Sequence, residues 1–344
     1  MAYTRFPGVP LKPLEHLSGN LGLQRYVIGL EMPNKMRKFA DILDLNMKKT
    51  FILTILGLFT AVAMQAQVNE FLTFTRIERN PRAAALAGAG AASASNVAYA
   101  SFNNAAVVPF YEKNGDFGVG YQSWAPKTVA ANAFNFGGAY NFGRVGVAAG
   151  VMYQMEKPDD GFVPSSLQVN LGAGVRILDW LGLGVNARFA QDNLFEGMSY
   201  KGFAADAMVL FHPVKGLNLT AGVTNIGSNV VSKSGSQYPQ PASIKAAAAY
   251  LLQLGTKNSI EFMVDEDYYI NSKANAVSFG MEYTFNQIVY ARAGYRIATE
   301  KAPFASHLAV GLGAQLFGVR LDVSYLTLSE VIGNTIAVGL GYRF

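Results

Sequence analysis

The stretch Thr335-Ile-Ala-Val-Gly-Leu-Gly-Tyr-Arg-Phe344 decides the fold. Ile336, Val338, Leu340, Tyr342 and Phe344 alternate with Thr335, Ala337, Gly339, Gly341 and Arg343, the period of two of an extended strand. One face is large and apolar; the other is small or polar. Because the chain stops on the aromatic residue itself, the strand has cover only from a neighbouring strand and a membrane, as in a lipid-facing barrel. The alternative is an amphipathic edge strand of a soluble sandwich.

The N-terminal region supplies a route to a membrane. Met47-Lys48-Lys49 is a positive n-region, Phe51 to Ala63 is an apolar h-region, and Ala61, Ala63 and Ala66 are the small residues of a cleavage site. Residues 47–66 therefore read as a secretory signal peptide. Cleavage after Ala66, leaving Gln67 first, is preferred, whereas cleavage after Ala63 fits the A-x-A rule through Ala61. Residues 1–46 then read as an upstream extension from a misassigned start, with Met47 the initiator.

Removing the leader changes the charge argument. The chain has 28 Lys+Arg and 23 Asp+Glu, of which residues 1–66 hold 8 and 4, so the mature part carries 20 against 19. Its basic pI is thus no evidence for a nucleic-acid partner. With no cysteine, a disulfide scaffold, a thiolate metal site and a Cys nucleophile are excluded. Gly 35, Tyr 17 and Phe 23 with only 15% charged residues suit a β-protein that meets lipid on one side.

Alternating segments predict fourteen strands, near 116–124, 131–142, 144–155, 165–178, 180–191, 200–212, 216–226, 242–253, 257–268, 273–285, 287–297, 304–316, 318–326 and 333–344. Tight connections such as Asn141-Phe-Gly-Arg144 and Phe317-Gly318 alternate with longer ones, notably 157–164 and 227–240. Short periplasmic turns and longer outer loops are the pattern of a transmembrane barrel, and this order leaves the C-terminus periplasmic. Mature prolines (81, 109, 126, 158, 164, 213, 239, 241, 303) fall in loops or at strand edges. Phe142, Trp180, Phe211, Phe285, Phe317 and Phe344 at the short-turn end, with Trp124, Tyr153, Phe195, Tyr268 and Tyr325 at the other, read as two aromatic girdles.

Face assignment gives the lumen. Arg176, Arg188, Asp206, Glu261, Asp265, Asp267, Glu282, Arg292, Arg296, Arg320 and Asp322 fall on the inward face, since charge facing lipid is costly. They predict a salt-bridged lumen that fixes a plug; a selective ion path is the alternative. The plug would be the small-residue segment from Asn80 to Ala106, within a hatch over 67–115 that precedes a barrel over 116–344. Gly88 and Gly90 allow tight bends, and neither bulk nor charge obstructs insertion. A low-complexity linker is the bland reading.

Arg82-Ala-Ala-Ala-Leu-Ala-Gly-Ala-Gly90, followed by Tyr99-Ala-Ser-Phe-Asn-Asn-Ala-Ala106, resembles an Ala-Met/Leu-Gly-Gly-Ala run leading to an aromatic-Asn-Pro-Ala box. That pattern is similar to the FadL superfamily and, within it, to the PorV/PorQ family of Bacteroidota outer-membrane proteins; Asn104 stands where the box has proline. The resemblance spans residues 67–344, and its specific parts are the hatch motif and the terminal strand, which resembles the closing strand of bacterial outer-membrane barrels. It implies a fourteen-stranded all-β barrel with an N-terminal hatch, and hatch roles for Arg82, Gly88, Gly90, Phe102, Asn103 and Asn104. It also implies that Tyr342 and Phe344 form an assembly signal read by the barrel-assembly machinery.

Enzymatic chemistry is sparse. His16, His212 and His307 are the only histidines, so no triad or histidine metal cluster can be built, and neither metal, cofactor nor catalytic residue is expected. Asp265-Glu-Asp267 and Glu156 with Asp159-Asp160 read as outer-end acids, solvated or meeting cations that bridge lipopolysaccharide. Gly-x-Gly pairs at 172–174, 182–184, 311–313 and 339–341 lie inside strands and read as lumen space-makers. The expected function is a non-enzymatic outer-membrane barrel of PorV/PorQ type, an accessory or docking component in type IX-like export with secretion or surface-protein partners. The alternative is a FadL-like channel for small hydrophobic molecules; a general porin fits less well, because a plug obstructs free diffusion. Outer-membrane lipid and lipopolysaccharide are the surroundings either reading requires.

Overall fold

The computed structural model describes residues 70–124, 130–157, 161–231, 235–327, 329 and 334–344. The leader, the signal peptide, its cleavage sites and Asp159-Asp160 lie outside the described residues. The strands are β1 (Gly115–Trp124), β2 (Ala131–Asn141), β3 (Val145–Glu156), β4 (Ser165–Leu178), β5 (Leu181–Phe195), β6 (Met198–Val214), β7 (Leu217–Gly227), β8 (Val230–Val231), β9 (Gln237–Tyr238), β10 (Ser243–Leu254), β11 (Asn258–Tyr269), β12 (Ala274–Phe285), β13 (Val289–Ala298), β14 (His307–Leu316), β15 (Val319–Thr327) and β16 (Thr335–Arg343). β8 and β9 pair only with each other, inside the long 227–240 connection. The other fourteen form a closed antiparallel barrel, in which β16 pairs with β15 on one side and β1 on the other.

The period of two survives as alternating exposure. Along β16, Thr335, Ala337, Gly339 and Gly341 turn inward, while Ile336, Val338, Leu340 and Tyr342 are exposed. The same outward apolar set recurs on β12, with Phe279 and Met281, and on β15, with Leu321 and Val323. Such a belt in water would forgo about 25 cal/mol for each Å² left exposed, so lipid is its physical partner. Closure matters equally, because a barrel leaves no unpaired edge for lipid to meet. No helix among the described residues is long and apolar enough to cross a membrane.

The seam is finished by Phe344. Its carbonyl accepts from the amides of Asn114 (2.9 Å) and Gly115 (3.0 Å), and its ring stacks near Phe117 and Tyr342, each at 5.9 Å. Gly115 is required beneath that ring, since a Cβ there would lie 2.4 Å from Phe344 Cζ.

Three readings of the sequence need correction. The connection expected between residues 191 and 200 is a tight turn: Gly197 adopts φ 68°, which lets β5 and β6 pair out to Phe195–Met198. Pro213 lies within β6, at the register shift between Phe211 and Val214, where the ladder is already interrupted. One girdle residue is covered by a neighbour while keeping its outward register, and another turns inward. Phe211 is buried at that bulge with Trp180 edge-on at 5.4 Å, and Trp124 shares the lumen face of Gln122 and packs against Phe304 at 5.7 Å.

Candidate functional site

The lumen is filled by the segment before β1. A 3₁₀ turn at Thr73–Arg76 leads to α1 (Pro81–Ala85), and further 3₁₀ turns cover Ala100–Phe102 and Ala105–Phe110. Asn80 caps α1 by accepting from the Arg82 amide at 3.0 Å, and Pro81 takes the first helical position, where no N–H is needed. After α1 the chain reverses through Gly88 (φ 88°) and Gly90 (φ 127°), conformations that side chains with a Cβ rarely adopt. Small side chains fill most of the remaining space: Ala83, Ala84, Ala85, Ala87, Ala89, Ala91 and Ala92 are all buried, with Leu86 the one large residue among them.

Arg82 contradicts the expectation that the hatch inserts without charge. Buried, it bonds Glu261 of β11 and Glu282 of β12, each at 2.8 Å. Glu282 also holds Arg292 of β13; Arg292 reaches Asp322 of β15 at 2.7 Å, and Arg320 joins Asp322 (3.1 Å) to Asp116 of β1 (3.2 Å). Seven alternating charges thus run from the hatch around five strands. Burial alone would depress the Arg82 guanidinium, but Glu282 and Glu261 outweigh it and hold the group above its ordinary value. Removing one partner from such a chain strands the next charge in low dielectric.

Carboxylates also hold the hatch backbone. Asp265 accepts from the Gly90 (2.8 Å) and Ala91 (3.0 Å) amides, and Asp116 accepts from those of Val97 (3.0 Å) and Ala98 (3.3 Å). Asp265 and Asp267 are therefore buried and paired on the lumen face rather than solvated; Lys245 pairs with them at 3.7 and 3.0 Å. Arg188 bonds Asp206 at 3.0 Å and the Phe102 carbonyl at 3.3 Å, and Arg296 bonds Ser278 and Tyr269. Arg176 stands apart from these pairs, at the short-turn end, 5.7 Å from the Phe110 ring.

The second half of the hatch is packed rather than paired. Asn104 caps the last 3₁₀ turn by accepting from Ala106 (2.9 Å), and it donates to the Ala91 carbonyl and Thr220. Around it, a Cβ on Gly174 or Gly184 would lie 2.2 Å from the Ala105 carbonyl or the Ala106 amide, so these strand glycines are where hatch backbone meets wall. Phe102 occupies the space above Gly150, and Asn170 donates to the Ser101 carbonyl at 2.8 Å.

Two cavities among the described residues border the hatch. The outer one, about 100 Å³ within a recess of about 950 Å³ that includes open solvent, is lined by Arg76, Glu78, Arg79, Trp124, Arg296 and His307 among others. The inner one, about 30 Å³, lies within the hatch beside Arg82, Asn96 and Tyr99. Glu78 and Asn103 line both. The sequence reading passed over Arg76, Glu78, Arg79, Asp116 and Lys245. A signal existed for two of them: Arg76, Arg79 and Arg82 recur every three residues just before an alanine-rich run.

Among solved structures the chain is similar to the toluene transporter TbuX of Ralstonia pickettii, with TM-score 0.55 and 14% identity, covering 77% of this chain and 97% of that one. It is similar also to the monoaromatic hydrocarbon channel CymD, with TM-score 0.58 and 12% identity, covering 76% and 96%. A FadL homologue of Pseudomonas aeruginosa gives TM-score 0.52 and 11% identity, covering 77% and 98%. No family model matches the sequence, and no curated protein matches it. At these identities the likeness is one of fold.

Proposed function

We propose that the chain is an outer-membrane channel of FadL type that passes small hydrophobic molecules, with the hatch as its gate. The observation that carries this reading is a closed barrel whose lumen is filled by a non-covalently held segment. Proteins of the same fold are a toluene transporter and a monoaromatic hydrocarbon channel. A porin would keep an open lumen, and an enzyme would need a nucleophile–base arrangement, for which the few histidines give little basis. The docking role in type IX-like export rests on the PorV/PorQ resemblance alone.

A reversible lock tests the gate. The chain has no cysteine of its own, and a Cβ on Gly280 would lie 3.1 Å from that of Ala89, slightly inside the usual disulfide spacing of about 3.8 Å. In lipid vesicles, Ala89→Cys with Gly280→Cys should pass naphthalene when reduced and stop when oxidised. Equal flux in both redox states would remove the hatch from the transport path.

A further inference from the structure

We propose that the recess at the outer end of the hatch is a receptor for a small oxyanion, a carboxylate or a phosphate, with Arg79 as its main donor. This goes beyond the channel reading and stands whether or not the barrel passes hydrocarbons. Arg79 is 3% exposed and lines the recess. Its Nη2 donates to the Phe74 carbonyl at 2.5 Å, but Nε and Nη1 have no partner. The Nε atoms of Arg188 and Arg296, on the same walls, are also unpartnered. A buried guanidinium left this way is costly, and an oxyanion is the acceptor that would satisfy an unpartnered edge of it.

The surrounding charge favours an anion. Arg76, Arg79, Arg188, Lys245 and Arg296 line the recess. Asp206 pairs with Arg188, while Asp265 and Asp267 serve Lys245 and, through Asp267, Arg296. Arg76 is spent on the Pro241 carbonyl and the hydroxyls of Thr224 and Ser243. Glu70 and Asp267 are the counter-charges that act on Arg76, which leaves Glu78 as the one carboxylate facing Arg79. Burial pushes the Glu78 carboxyl above its ordinary value, which weakens even that compensation. Burial also lowers the Arg79 guanidinium, to about 9, against the pull of Glu78 and with help from Arg188, so it remains charged at neutral pH.

Size narrows the ligand. The cavity volume of about 100 Å³ is less than the roughly 150 Å³ that accepts benzene, so its inner part suits an acid headgroup better than a whole hydrocarbon. Any remainder of the ligand would lie toward the mouth, where Trp124 and Phe304 stand.

Trp124 is also the reporter. The chain has two tryptophans, so Trp180→Phe leaves Trp124 as the single emitter in the full chain, solubilised in detergent. Inorganic phosphate, benzoate and toluene would be titrated separately at pH 8 and constant ionic strength, with chloride as reference. The proposal expects saturable quenching by at least one anion, weakened at least tenfold by Arg79→Gln and tightened several-fold by Glu78→Gln. Phosphate alone would identify a phosphate site, and benzoate alone a carboxylate site. Should Arg79→Gln fail to assemble, Glu78→Gln decides: tighter binding supports the site, and unchanged affinity overturns it. Response to toluene without either anion, or equal anion affinity in Arg79→Gln and the parent, would also overturn it.

Discussion

The two sides of the lumen hold the same segment by different physics. Toward β11, β12, β13 and β15, the wall presents carboxylates and guanidiniums, and the hatch answers with Arg82 and the amides of Gly90 and Ala91. Toward β2, β3, β4 and β5, the wall presents glycines, and the hatch answers with its own backbone and the buried Val107 and Val108. Ion pairs reach across a gap and depend on every partner being present. Close packing tolerates loss of charge but not an added methyl group. Gly280, Gly294 and Gly311 also meet Leu86, Ala85 and Ala89 on the charged side, and Arg188 and Asn170 reach hatch carbonyls on the other, so the difference is that ion pairs to Arg82 are added to close packing on one side, while packing dominates on the other.

The largest effect should come from the charged side. Arg82→Met leaves Glu261 facing only the Ser95 hydroxyl (2.9 Å), and breaking a buried pair costs about 3–5 kcal/mol. The barrel ladder is untouched, so protease nicking within 80–92 should rise while heat-modifiable migration of the barrel persists. Adding Glu261→Gln should recover part of the loss; no recovery would mean that Arg82 acts by packing rather than charge.

On the packed side, Gly184→Val drives a side chain into the Ala106 amide, an overpacking cost of about 3 kcal/mol. Nicking should then concentrate near 100–110, and charge substitutions should not rescue it. Should Gly184→Val expose 80–92 instead, the division into two sides fails.

Phe344→Ala removes the ring that covers Gly115 at the seam, with lipid-facing area worth roughly 2 kcal/mol. Folded barrel yield should fall without selective hatch release. The smallest effect is one of pH. Glu78 has its carboxyl raised above 4.5 by burial, so the folded hatch favours the protonated form. Stability from this group is full below that value and declines as pH rises through the raised one, and Glu78→Gln should abolish the dependence in a hydrogen-exchange series.

Much of the wall was legible because a strand needs only its own residues to declare a face. The outward run from Ile336 to Phe344 and the fourteen strand positions follow from local alternation and turn residues. Pairing across the lumen does not follow from it. Asp116 meets Arg320 only because the barrel closes β1 against β16 and stacks β15 beside it, a relation of register over some two hundred residues. Arg79 was illegible for another reason. It lies in the irregular stretch between the 3₁₀ turn at Thr73–Arg76 and α1, and a charged residue in an irregular segment reads as solvated. Trp124 misled because girdle and lumen residues at a strand end differ only by parity.

Hydrogen exchange of the reconstituted protein tests the two-sided hold most directly. In Arg82→Met, amides of 81–92 should exchange roughly 100-fold faster than in the parent, the equivalent of about 3 kcal/mol, while those of 105–110 and the strands keep parental rates. A rise shared equally by 81–92 and 105–110, or no rise at either, would contradict the account.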